Sequence, residues 1–247
     1  MANGIYIAVS GATSRLQQLD VLANNLANAT TTGFKRDEVS FHSVTGGQAK
    51  GAPSGGNADI KDRQFVQVHE SRPFLGQGEL LRTDNPLDVA IQGDAFFKVD
   101  ADGEERLTRD GRLLISADGI LRTLNGNTIL DDQGGAIYLP PEHVPRIDNE
   151  GRIFSDKVEV ARLALVGLGE TAQLRRDGSN LFIPPEDSEV LPLGSGVEVQ
   201  QGWIEGSNAR PVEMFVDLIS VQRAHAALHR AITAYKEMDR SAIRVAR

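Results

Sequence analysis

The chain has 247 residues, a net charge of −8 and no cysteine, so disulfides and thiolate metal ligands are excluded. Basic residues form no concentrated patch of the kind a nucleic-acid surface needs, and no run of 18 apolar residues is available to cross a membrane as a helix. Only 5% of residues are aromatic while 25 are glycine, a composition that favours many tight turns within one large domain or two modest ones.

The first element is a helix expected from about Asn3 to Asn28. Ile5, Val9, Ala12, Leu16, Leu19, Ala23 and Leu26 recur at alternating spacings of four and three, an a/d heptad seam. Its start has no basic n-region, and Ser10, Thr13, Ser14 and Arg15 break the apolar run, so a cleaved signal peptide is not expected. Asn24, Asn25 and Asn28 close this helix. Their amides donate and accept at once, which suits them to tie the helix end to an adjoining segment, while Lys35 and Arg36 are expected to pair with acidic neighbours.

Residues 37–64 read as an extended linker or loop, because Gly46 to Gly56 is rich in glycine and has no periodicity. Short strands are then expected at Phe65–His69, Leu87–Gln92, Ala95–Val99, Arg112–Ile115, Ile120–Leu124 and Thr128–Leu130. Asp102-Gly103, Asp110-Gly111, Asp118-Gly119 and Asn125-Gly126 can each supply the positive φ of a hairpin turn. A second strand group follows Pro140-Pro141, at Arg152–Phe154, Val158–Val166 and Asn180–Ile183. The nearly continuous apolar run from Ala161 to Val166 is the expected central strand.

The last helix starts at Pro211, with Glu213 complementing its first amides, and has no Gly or Pro from Val212 to Arg247. Met214, Leu218, Val221, His225, Leu228, Ile232 and Tyr235 repeat the spacing of the first seam. The expected fold class is mainly β with long N- and C-terminal α-helices. The helices pair as a coiled-coil-like domain (residues 1–36 and 207–247) around an antiparallel β-rich core (65–206). Val21 and Leu22 on one helix, with Phe215, Ile219, Ala227 and Ala231 on the other, widen the apolar faces beyond a two-helix stripe. That width is suited to packing among several helices.

No catalytic, cofactor or metal site emerges. His225 and His229 stand at i, i+4 without a third ligand, so they read as interface histidines. Asp100-Ala-Asp-Gly103 lacks the remaining ligands of a calcium loop and reads as a turn. No nucleophile elbow or phosphate-binding glycine pattern occurs. Trp203, the only tryptophan, is a candidate for the β-core or for an interface anchor.

Three segments carry a resemblance. Leu22-Ala-Asn-Asn-Leu-Ala-Asn-Ala-Thr-Thr-Thr-Gly-Phe-Lys-Arg36 resembles the signature of bacterial flagellar axial proteins, the rod and hook family, with Asn24, Asn25, Leu26, Asn28, Gly33, Phe34 and Lys35 as motif residues. Asn85-Pro-Leu-Asp-Val-Ala-Ile-Gln-Gly-Asp-Ala-Phe-Phe-Lys-Val99 and Leu107-Thr-Arg-Asp-Gly-Arg112 are similar to that family's core domain, through Asn85, Pro86, Leu87, Asp88, Gly93, Phe96 and Phe97. Gly202-Trp-Ile-Glu-Gly-Ser-Asn-Ala-Arg-Pro-Val-Glu213 resembles its C-terminal signature through Gly206, Ser207, Asn208 and Pro211. Ala95, where the family usually has glycine, and Phe215, where glutamate is frequent, depart from the pattern.

The resemblance implies a structural, non-enzymatic subunit of the basal-body rod that spans the periplasm and transmits torque as part of the drive shaft. It implies export without a cleaved signal through the flagellar type III apparatus, and helical assembly with other proximal and distal rod subunits. Neither nucleic acid, nor membrane insertion, nor a cofactor is implied. Within the rod the chain is most similar to the proximal-rod type; the distal rod and a secreted β-domain binding module with helical stalks are the alternatives.

Overall fold

The computed structural model describes residues 2–45, 64–140, 144–167, 174–185, 189–190 and 196–245. They belong to two compact units: one holds the described residues among 1–27, 37–71 and 210–247, the other those among 28–36 and 72–209.

The first unit is built on two helices, α1 (Ala2–Ala27) and α2 (Pro211–Val245), which pack against each other. Pro211 opens α2 because its missing N–H would have no partner there anyway, and Arg210 bonds Glu213 across the first turn at 2.9 Å. On α1 Ala8 and Ala12, on either side of Gly11, are small and buried. They let bulkier α2 residues approach closely, and the Leu228 methyls lie 3.5 and 3.7 Å from where a Cβ on Gly11 would stand. Asn25 is buried at the end of α1. Its Nδ2 donates to the Asp37 carbonyl and its Oδ1 accepts from the Asp37 N–H, both at 2.8 Å. The amide thus pairs with Asp37 as a neighbouring strand would, and Asp37–Thr45 departs from it as a β-strand paired with Gln64–Pro73.

That strand occupies the start of the segment expected to be a linker. Its apolar alternation, Val39 then Phe41, is too short to stand out beside the glycine-rich stretch, and Gly46 to Gly56 itself lies outside the described residues. The Arg15 guanidinium caps the Phe41 ring at 5.2 Å.

The second unit is antiparallel β-structure. Ala95–Ala101 is its hub, pairing with Glu104–Thr108, Thr128–Ile129 and Leu165–Gly167. Strand alternation sends Phe97 and Val99 into the main core with Val89, Ile91, Leu121, Ile153 and Leu163. Phe96 points the other way, into a smaller cluster with Leu107, Val166, Leu174 and Phe182. The expected strand Val158–Val166, with its central run Ala161 to Val166, is two strands: Val158–Arg162 forms the edge of a three-stranded sheet, and Leu165–Gly167 joins the hub. Leu163 and Ala164 break it between the two sheets: Leu163 to Val166 are buried, while Val158 and Val160 on the edge strand are exposed.

Three of the four expected turns hold glycine at positive φ, at Gly103, Gly119 and Gly126. Asp110-Gly111 is different. Both residues are buried, and any Cβ on Gly111 would run into the Val89 carbonyl, so this glycine serves close backbone approach. The Asp100 to Gly103 segment is a hairpin turn, in which the Asp100 carboxylate accepts the Gly103 N–H at 2.9 Å.

Candidate functional site

The residues singled out by pattern fall into two places, one in each unit. On α2 the seam residues Met214 and Val221 are buried, and Leu218, His225, Leu228, Ile232 and Tyr235 are half-buried. On α1 Ala12 is buried and Ile5, Leu19 and Leu26 are half-buried, whereas Val9, Leu16 (50% exposed) and Ala23 face outward. Pairing therefore leaves apolar surface uncovered. Val9 and Leu16 share one face of α1, one heptad apart; Val212, Phe215 (54% exposed), Val216 and Ile219 form a row on α2. His225 and His229 meet edge-to-face with ring centroids 4.5 Å apart, and among the described residues no group of three side chains could hold a metal ion.

The second place is a buried charge cluster. Lys35 (0% exposed) donates to Glu205 Oε1 at 2.6 Å and to the Gly76 carbonyl at 3.1 Å. Glu205 (1% exposed) takes a second bond on Oε1 from the Gly78 N–H at 2.7 Å, and Arg109 Nη1 on Oε2 at 3.0 Å. Arg109 also donates to the carbonyls of Ile91 and Gly93 and lies over the Phe96 ring at 5.0 Å. Burial pushes the Lys35 and Arg109 pKa values down; the Glu205 charge works the other way and does not outweigh it.

Around the cluster, the segment from Thr32 to Arg36 is held on every side. Gly33 N–H donates to the Glu205 carbonyl at 2.7 Å, and Asn180 Nδ2 reaches the Thr32 carbonyl at 2.8 Å. The Arg176 guanidinium donates to the Lys35 carbonyl between the rings of Phe34 and Phe182. Asn208 links three strands of chain: its Oδ1 accepts the Arg36 N–H, and its Nδ2 donates to the Phe74 and Gly76 carbonyls. Gly33 has φ 67°, and a Cβ there would sit 2.5 Å from the Arg109 carbonyl oxygen. Both reasons require glycine.

The central motif has a local task. The Asn85 side chain accepts the Leu87 N–H at 3.2 Å and donates to Asp88 at 3.1 Å, shaping the turn through Pro86 that starts strand Val89–Gln92. Gly93, at φ 113°, offers its carbonyl to Arg109. Phe96 and Phe97 fill the two cores. Ser207 Oγ accepts the Ala209 N–H at 3.1 Å. Gly206 donates its N–H to the Glu79 carbonyl at 2.8 Å. Trp203 is half-buried in a strand paired with Leu80–Arg82.

Pattern alone does not single out Glu205, Arg109, Arg176 or Asn180. Glu205 and Arg109 lie inside matched motifs, and a charged side chain in a strand between Gly202 and Gly206 is the signal that could have pointed to Glu205; Arg109, just past its strand, carries no such signal. Neither sequence spacing nor periodicity pairs residues 96 or 170 positions apart.

Three family models match the chain: flagella basal body rod protein over residues 5–35, the flagellar hook protein FlgE/F/G D1 domain over 90–155, and the flagellar basal body rod FlgEFG protein C-terminal region over 200–245. The flagellar basal-body rod protein FlgF of Caulobacter vibrioides is 35% identical over 98% of this chain and 97% of its own length. The chain belongs to the flagellar basal-body rod family. The rod proteins it resembles include FlgF of Rhizobium meliloti, 33% identical over 91% of this chain and 89% of that protein. FlgG of Agrobacterium fabrum is 32% identical over 94% and 95%. As a rod-family member the chain is a structural axial protein and not an enzyme. Each of the three matched segments contributes one charge of the buried cluster: Lys35, Arg109 and Glu205.

Proposed function

We propose that this protein is a subunit of the proximal part of the flagellar rod, exported through the flagellar type III apparatus and added to a growing axial assembly in the periplasm. The carrying observation is the apolar surface left on the paired helices: Val9 and Leu16 on α1, Phe215 and Ile219 on α2. Surfaces of this kind mark protein–protein contact, and two different ones on one subunit suit a heterologous, growing assembly rather than a closed ring. In such a shaft, torque passes from subunit to subunit through the helix contacts. The proximal assignment is supported by the relatives named FlgF and by the Ile204-Glu-Gly-Ser-Asn208 ending.

The FlgG of Agrobacterium fabrum, at 32% identity, favours a second reading as a distal-rod subunit. Deleting the gene in its own host separates the two. A proximal subunit predicts basal bodies that stop before the distal segment while early rod subunits are still exported. Rods that carry a completed proximal segment and lack only their distal part would move the assignment to the distal type.

A further inference from the structure

We propose that Glu205 is the closing element of the β-rich unit, which stays open until strand Trp203–Glu205, delivered last, brings the carboxylate that two buried cations require. Lys35 and Arg109 both lie N-terminal to Glu205, by 170 and 96 residues. A chain made or threaded from its N-terminus therefore presents both cations first. Among the described residues their side chains form no ion pair with any carboxylate other than Glu205; the remaining bonds go to the carbonyls of Gly76, Ile91 and Gly93. Asp94 acts on both cations at longer range without an ion pair, so among the described residues Glu205 is the carboxylate in contact with them. Burying the two charges without it is strongly unfavourable, and burial pushes both pKa values down even with Glu205 in place.

The same carboxylate takes the Gly78 N–H, and the Glu205 backbone carbonyl takes the Gly33 N–H. One residue thus seals three separate segments at once. The consequence is a built-in check on chain length: a chain that ends before Glu205 cannot finish its β-rich unit.

Folding kinetics of the full-length chain test this, with Trp203 as a fluorescent reporter placed in the closing strand. If Glu205 gates closure, its contacts are made in the rate-limiting step. Glu205→Gln should then slow refolding about 100-fold or more while changing unfolding by less than about threefold. The uncharged set Lys35→Met/Arg109→Met/Glu205→Met should bring refolding back to within about tenfold of wild type. Glu205→Gln refolding at the wild-type rate and only unfolding faster would show that Glu205 joins a unit already closed, overturning the proposal. Should Glu205→Gln fail to fold, Lys35→Met serves alone. With one cation fewer to neutralise it should refold at least as fast as wild type, and a tenfold slowing would equally overturn the gate.

Discussion

Lys35 is fully buried, yet burial and not its ion pair dominates its acidity, so its pKa falls below 10.5 in the folded chain. In the window just below 10.5 the unfolded chain then holds a proton that the folded chain has released. Stability attributable to Lys35 therefore rises with pH through that window. The urea midpoint of wild type relative to Lys35→Met should increase as pH approaches 10.5, and a flat difference would refute the burial account. Glycine at position 33 is demanded twice, by its positive φ and by the Arg109 backbone beside it. Gly33→Ala should cost about 3 kcal/mol or more, measured by denaturant unfolding. A loss of only a few tenths would mean that the segment shifts freely. The motif residues were legible as a motif, but their tasks were not, because Lys35 and Gly33 act on groups that only the fold brings near.

At the scale of elements, heptad spacing located both terminal helices, while the inward face of α1 came out in a different phase. Positions 5, 12, 19 and 26 belong equally to a seam through 9, 16 and 23 and to one through 8, 15 and 22. Small Ala8 and the strand held by Asn25 select the second. Periodicity cannot choose between overlapping stripes when both contain apolar residues. The choice has a measurable consequence. Leu16→Asp, at an exposed position, should change the stability of the isolated chain by less than about 0.5 kcal/mol, yet block incorporation into rods. Val221→Asp, at a buried position, should unfold the helix pair itself, seen as lost helical circular dichroism, since an unpaired buried carboxylate costs several kcal/mol. Normal rods with Leu16→Asp would remove that face from the assembly surface. Asn25→Ala should release the start of strand Asp37–Thr45, detected as faster amide exchange at Asp37.

For the whole molecule, hairpin dipeptides and apolar runs made the β-rich middle legible, but not the chain segments that complete it. Residues 28–36 precede the first strand by sequence, yet Phe34 and Lys35 are buried in the β-rich unit. A fragment of residues 28–209 should accordingly unfold in one cooperative transition. One starting at residue 65 and ending at 206 leaves Glu205 and Arg109 without Lys35, loses the Gly33 and Asn208 bonds, and should show none. The helix pair, by contrast, carries apolar faces that the described residues leave exposed, and covering them is what a rod subunit's neighbours would do. A cryo-EM map of basal bodies from the host organism tests that most directly. It should place this chain in the rod, with Val9, Leu16, Phe215 and Ile219 packed under helices of adjoining axial subunits. Density that puts the chain outside the rod, or leaves those four side chains facing solvent within it, would contradict the account.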